Sequence, residues 1–201
     1  RVHAAFEISG QAGYLYDNLI DCVDELQIVN PSKATWIYRT AKKNDRIDAR
    51  KIAVLMRMGE LPTVYMPSKE VRQWRMMILH RQKTVQKVGR IKNRIRALLK
   101  SEGYFKPCMP GSWWKNGNRQ WMESLSSGTG SLWSLQLKDL LEELSIVELQ
   151  RDRATEYLDK HLEAQPGGRL LMSIPGVGPR TAEAVLAYTD DIGRFDNYKQ
   201  Y

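Results

Sequence analysis

Residues 68–103 and 132–164 each carry apolar side chains at alternating three- and four-residue intervals, and a run of that period closes only as a long helix. In the first, the apolar line is Val85, Val88, Ile91, Ile95 and Leu98. In the second it is Leu137, Leu140, Leu144, Val147, Ala154 and Leu158, interrupted at Arg151 and His161. Their charges are opposite. Eleven Lys or Arg lie between Lys69 and Lys100 against the two acids Glu70 and Glu102, whereas 132–164 holds eight acids and four bases. Two such helices are expected either to pack on each other within one chain or to join two chains, and the spacing fits both.

The basic excess has a consequence for partners. The 201 residues carry a net charge of +8, and the stretch 68–103 alone accounts for about +9, so the positive charge is concentrated on one helix. Ordinary surface helices mix both signs. This one is therefore expected to face phosphate, with Arg81, Lys83, Lys87, Arg90, Lys92, Arg94 and Arg96 as candidate nucleic-acid contacts, each released counterion making binding salt-dependent. An anionic membrane surface is the second candidate for such a charge. With 42% hydrophobic and 27% charged residues the chain is an ordinary globular one. Cys22 and Cys108 lie far apart, which indicates neither a disulfide framework nor a thiolate metal site and suggests a reducing compartment. No apolar run is long enough to span a membrane and no leader pattern is visible, so a cytoplasmic protein is expected. His3, His80 and His161 have no metal-ligand spacing and receive no role.

Taken in order, residues 2–8 read as a strand ending near Glu7 and the turn Ser9-Gly10. Residues 12–23 read as a helix with Leu15, Leu19, Ile20 and Val23 on one side, and 26–29 as a second strand closed by Asn30-Pro31. Strand, helix, strand at this spacing is a βαβ signal for a parallel pair. A short helix with Trp36 and Tyr38 is expected over 32–40, a helix over 45–58 with Ile47, Ala53, Val54 and Met58 for burial, and a last short strand over 63–66. The glycine- and proline-punctuated stretch 103–130 reads as a linker or loop-rich insert. Its Trp113, Trp114 and Trp121 would form a small local core or stack on unpaired bases.

Two motifs carry chemistry. Asp45 and Asp48 stand three apart at a helix start, where side chains share a face. They suit a hard divalent cation, which takes one or two carboxylates and leaves the remaining positions to water and phosphate. The same residues also suit an N-cap and first-turn anions. The second motif, Ile174-Pro175-Gly176-Val177-Gly178-Pro179-Arg180-Thr181-Ala182, has the form of a helix-hairpin-helix turn. Its glycines permit the tight turn, and Gly176, Val177, Gly178, Arg180 and Thr181 would present amides and charge to a DNA phosphate. A hairpin that only packs against protein has the same form.

With these residues in place the chain resembles the DEDD-type insertion-sequence transposases related to the Piv DNA invertases, the IS110/IS1111 class, whose members use a bridge RNA. Phe6-Glu7-Ile8-Ser9-Gly10 with Gly13-Tyr14 matches the glutamate motif, Ile28-Val29-Asn30-Pro31 the next strand, and Lys43-Asn44-Asp45-Arg46-Ile47-Asp48-Ala49 the paired-aspartate motif. The segment from Ile174 through Arg194-Phe195 matches the start of the C-terminal transposase domain. The resemblance implies an α/β plus all-α chain. Residues 1–67 would be an N-terminally truncated RNase H-like (RuvC-like) domain, 68–165 long helices with the Trp-rich insert, and 166–201 the truncated start of the C-terminal domain. By the same resemblance Glu7, Asp45 and Asp48 are three of four acids that gather Mg²⁺ or Mn²⁺. The first acid and a serine nucleophile beyond Phe195 have no counterpart between Arg1 and Tyr201, so an active parent protein and an inactive 201-residue chain are expected. DNA, a guide RNA and a second copy of the chain are the implied partners, with no membrane. The alternatives are a non-enzymatic nucleic-acid-binding helix-hairpin-helix protein and a helical adaptor built on 132–164.

Overall fold

The computed structural model describes residues 1–34, 44–128, 130–195 and 197. The expected helix over 32–40, with Trp36 and Tyr38, falls largely outside them, as does Lys43. The chain divides into two compact units, Arg1–Gln73 and Trp74–Tyr201. Helix dominates, with one small sheet.

In the first unit, β1 (His3–Glu7) and β2 (Glu25–Val29) pair in parallel, His3 opposite Glu25 and Glu7 opposite Val29. They are joined by α1 (Ala12–Leu19) and a single 3-10 turn, Ile20–Cys22. The expected helix therefore ends early. Ala12 is its buried residue, and Ile20 lies exposed instead of completing the stripe. The expected third strand reduces to one antiparallel bridge, Val29 to Thr63, flanked by Asn30 N donating to Pro62 O and Val64 N donating to Ile28 O. Proline on either side, at 62 and 67, removes the donors a longer ladder needs.

The next helix, α2 (Asp45–Met58), stops at Gly59 in the left-handed conformation, φ 74°. Ile52 and Leu55 bury against Val29, Ala34 and Leu61. This corrects the expected face: Ile47, Val54 and Met58 are exposed. Gly13 is required for a different reason. A Cβ there would meet Arg72 Nε at 2.8 Å, and this guanidinium bonds both carboxylate oxygens of Asp17 and the carbonyl of Pro67.

The boundary between the units falls in the first two turns of α3 (Lys69–Ser101). In the second unit α3 runs antiparallel to α5 (Leu132–Glu163). Val88, Ile91, Ile95 and Leu99 pack on Leu137, Leu140, Leu141, Leu144 and Val147, and Trp74 and Ile78 on Leu158 and Ala187. Packing within one chain is thus the arrangement of this pair. The expected line on α3 holds at Val88, Ile91 and Ile95 and departs at its two ends: Leu99 is buried with Leu98 only partly so, and Val85 is exposed while Thr84 is buried, its hydroxyl donating to His80 O at 2.8 Å.

The stretch read as a loop-rich insert contains a helix, α4 (Asn116–Gly128), packed on α5. Trp113, Trp114, Trp121, Trp133 and Tyr104 pack against the buried cluster to which α4 contributes Met122. Buried Asn118 ties down the preceding loop, accepting from Met109 N and donating to the carbonyls of Met109 and Ser112. The tryptophans therefore form a local core. Beyond α5 come α6 (Pro166–Met172) and α7 (Pro179–Thr189), then a 3-10 turn, Ile192–Arg194. No helix of the described residues is long and apolar enough to cross a membrane. Cys22 and Cys108 are both free and exposed.

Candidate active site and nucleic-acid interface

Alternate residues of a strand share a face, and so do residues three, four and seven apart on a helix. On β1 that face is His3, Ala5 and Glu7. On α2 it is Asp45, Asp48, Ala49, Ile52 and Met56. These line one cavity of about 420 Å³, so the structure brings Glu7 to the same cavity as Asp45 and Asp48, which lie far from it in sequence. The local reason is the cap. Asn44 accepts from Arg46 N at 3.0 Å through its side chain, which satisfies the first turn and leaves both aspartates to face the cavity. The capping reading of this motif holds, on Asn44.

Within the cavity Asp48 Oδ1 is buried without a hydrogen-bond donor, and its ion pair with Lys51 Nζ is a loose one at 3.6 Å. A buried carboxylate oxygen without a donor is the kind of atom that takes a cation. Among the described residues no three His, Cys, Asp or Glu side chains converge closely enough to hold a metal ion. Glu7 and Asp45 are exposed at the rim, so the acids surround the cavity without forming a closed ligand set.

The basic helix is largely committed to its neighbours. Lys92 Nζ meets Glu148 Oε1 at 2.7 Å and lies over the Trp114 ring. Lys87 and Arg94 share Glu143. Arg81 Nε donates to Thr155 Oγ1, and Arg96 bonds Asn93 on its own helix. Arg75 Nε donates to Ala187 O at 2.7 Å, capping the end of α7. Glu148 illustrates the electrostatics. Burial alone would raise its carboxyl, but the bonds from Lys92 and Arg119 outweigh that and hold it below the ordinary range. Lys83 and Arg90 make no ion pair among the described residues. With Lys87, Ile91 and Arg94 they line an open groove of about 570 Å³. Of the expected phosphate contacts, these stand where a strand has room, and Lys92 does not.

At the hairpin, Gly176 takes φ 86° and so requires glycine. Gly178 caps α7 at φ −89° with nothing within 4 Å of an added Cβ, and the turn is exposed around the half-buried Val177. Thr181 is exposed one turn on, and Ala182 is fully buried. Arg180 departs from expectation. Its guanidinium bonds Asp159 and lies 2.9 Å from Glu183 Oε2, so it anchors α7 to α5 instead of facing outward. Glu183 is 1% exposed. Burial raises its carboxyl, Arg180 and Arg81 oppose that, and Asp159 adds to it. Sequence reasoning missed Glu183, Asp159, Arg75 and Arg119, since nothing in the order of residues announces which charges will meet.

A family model, DEDD_Tnp_IS110, described as a transposase, matches residues 1–103. A second, described as Transposase IS116/IS110/IS902 family, matches residues 168–201. No curated protein matches the chain.

Proposed function

The chain belongs to the IS110 family of transposases, and from that premise we propose that Glu7, Asp45 and Asp48 form the acidic side of an RNase H-like site that cuts and rejoins DNA with a divalent metal. The observation that carries this is the single cavity the three acids line. Residues 1–67 would then be the catalytic domain, 68–165 its helical linker and 166–201 the start of a C-terminal domain. The donor set is all carboxylate, as Mg²⁺ or Mn²⁺ prefers, and the donorless Asp48 Oδ1 offers a ligand atom. When bound there, the ion would polarise a phosphodiester and stabilise the charge of an in-line displacement. Asp45 and Glu7 at the rim keep the approach to Asp48 anionic, and Lys51 moderates that charge at one edge.

DNA backbone would be held by Lys83, Arg90 and Arg94 on α3 and by the amides of the turn at Gly176, Val177 and Gly178 in a helix-hairpin-helix. Such contacts position a duplex without reading it. Sequence choice would come from a guide RNA by base pairing, the division of labour seen in RNA-guided nucleases. A homo-oligomer would bring two such sites to two DNA ends.

The test is strand exchange by the full-length protein. Asp45→Asn, Asp48→Asn and Glu7→Gln should each abolish it and leave DNA binding intact. A non-enzymatic binding module, the second reading, draws on the open spacing of the acids; it requires that these substitutions change nothing.

A further inference from the structure

The helix that carries Asp45 and Asp48 has a second face. Arg46, Ile47, Arg50, Lys51, Val54 and Met58 line an open groove of about 730 Å³ along it. Ile47 is 43%, Val54 40% and Met58 64% exposed. Arg46 and Arg50 are exposed as well and make no ion pair among the described residues. On α3 Lys83 and Arg90 are likewise without an ion pair among the described residues, whereas Lys87, Lys92 and Arg94 are paired with acids. Three large apolar side chains in water beside two unpaired guanidinium groups describe a surface that meets something. The charges indicate an anion.

The groove and the acid cavity share the first turns of α2, and Lys51 belongs to the edge between them, 3.6 Å from Asp48. A phosphodiester placed against Asp45 and Asp48 must leave past one flank of this helix. Three carboxylates repel it there, and Arg46, Arg50 and Lys51 return an equal positive charge at the same helix end. Arg46 and Arg50 stand one turn apart, about 6 Å along the axis, on one row of the surface. That spacing lets two guanidinium groups reach neighbouring phosphates of one extended strand, with the apolar floor beneath its sugars and bases. Guanidinium suits this task because its planar fork binds phosphate through paired donors.

We infer that this groove holds the DNA strand on its way out of the acid cavity, with Arg46 and Arg50 as positioning residues on consecutive phosphates and Ile47, Val54 and Met58 as its apolar floor. The inference deepens the proposed function and rests on it for the identity of the strand.

The experiment is fluorescence anisotropy of the full-length protein with a labelled single-stranded oligodeoxynucleotide, repeated with RNA of the same sequence across a salt series. The double variant Arg46→Gln/Arg50→Gln should bind DNA about tenfold more weakly, with the slope of log affinity on log salt shallower by about 1.4, or 0.7 for each single-strand phosphate that the variant leaves unneutralised. Arg46→Lys/Arg50→Lys keeps the charge and should keep the slope. Bromodeoxyuridine in the strand should photo-crosslink to the peptide 46–58. An unchanged slope, or crosslinks that avoid 46–58, overturns the inference. A slope change confined to RNA assigns the groove to a guide and overturns it too, as does intact DNA binding in Ile47→Ser/Met58→Ser accompanied by a changed oligomeric state, which would mark a protein contact. Failure of the catalytic reading appears elsewhere, as strand exchange surviving Asp45→Asn and Asp48→Asn, and leaves the crosslink to decide the groove independently.

Discussion

Replacing Glu148 by Gln tests whether the opposite charges of the two long helices stabilise their packing. Glu148 accepts from Lys92 Nζ and Arg119 Nη1, each at 2.7 Å, and the three side chains are 17%, 21% and 29% exposed. A hydrogen bond to a charged group contributes about 1.5–3 kcal/mol. Gln keeps the shape and one neutral acceptor but turns an NH₂ toward one of the cations, so one bond disappears and the other weakens. Partial solvent exposure moves the sum toward the lower end, about 2 kcal/mol. For a chain of this size that lowers the melting temperature by about 4–8 °C. The pH dependence supplies the sign. Glu148 titrates below its ordinary value of 4.5 in the folded chain, so its stabilisation is complete above 4.5 and disappears as pH falls through the folded value. Melts followed by circular dichroism at pH 7 and at about pH 3 should therefore show the gap between wild type and Glu148→Gln wide at the first and narrower at the second. A gap under about 0.5 kcal/mol at pH 7, or one of equal size at both pH values, refutes the reasoning.

Glu183 predicts the opposite trend. Its carboxyl is raised by burial, so the stability belonging to its neutral form is complete below 4.5 and lost as pH rises from there through the folded value. In chemical denaturation from pH 4 to 7, Glu183→Gln should flatten that decline, and a parallel decline in both proteins would contradict the assignment. At the hairpin, Gly176→Ala forces a side chain to φ 86° and should cost about 1–2 kcal/mol of stability. Gly178→Ala meets open space and should leave the melt unchanged while weakening DNA binding several-fold, because its Cβ stands where a phosphate would approach. Equal affinity would remove the close-approach role of Gly178.

How far the sequence revealed this arrangement depends on what each signal measures. The seam of α5 was legible because Leu137, Leu140, Leu144, Val147, Ala154 and Leu158 carry a period no other structure satisfies, and all six are buried. On α2 the bounds were legible from Asn44 and Gly59, but the buried face was not. Ile47, Val54 and Met58 make as good a stripe as Ile52 and Leu55, and the packing partners Ala5, Val29, Ala34 and Leu61 decide which one is buried. The helix Asn116–Gly128 was hidden by the glycines and prolines around it, although Trp121, Met122 and Leu125 share a face that fits the aromatic core. For the site, the types and order of Glu7, Asp45 and Asp48 were readable, as was the surplus of cations on α3. Which cations are spent on acids is a matter of register: Lys92 and Arg180 look no different in sequence from Lys83 and Arg90.

The central proposal, that a divalent ion binds at Asp48 in the cavity that Glu7 and Asp45 also line, is tested most directly by loading the protein with Fe²⁺ and ascorbate and mapping the backbone cuts that bound iron makes beside itself. The account predicts cuts near residue 7 and near residues 45–48 together, suppressed by excess Mg²⁺ and absent in Asp48→Asn. Cuts near only one of these segments, or a pattern unchanged in Asp48→Asn, would contradict it.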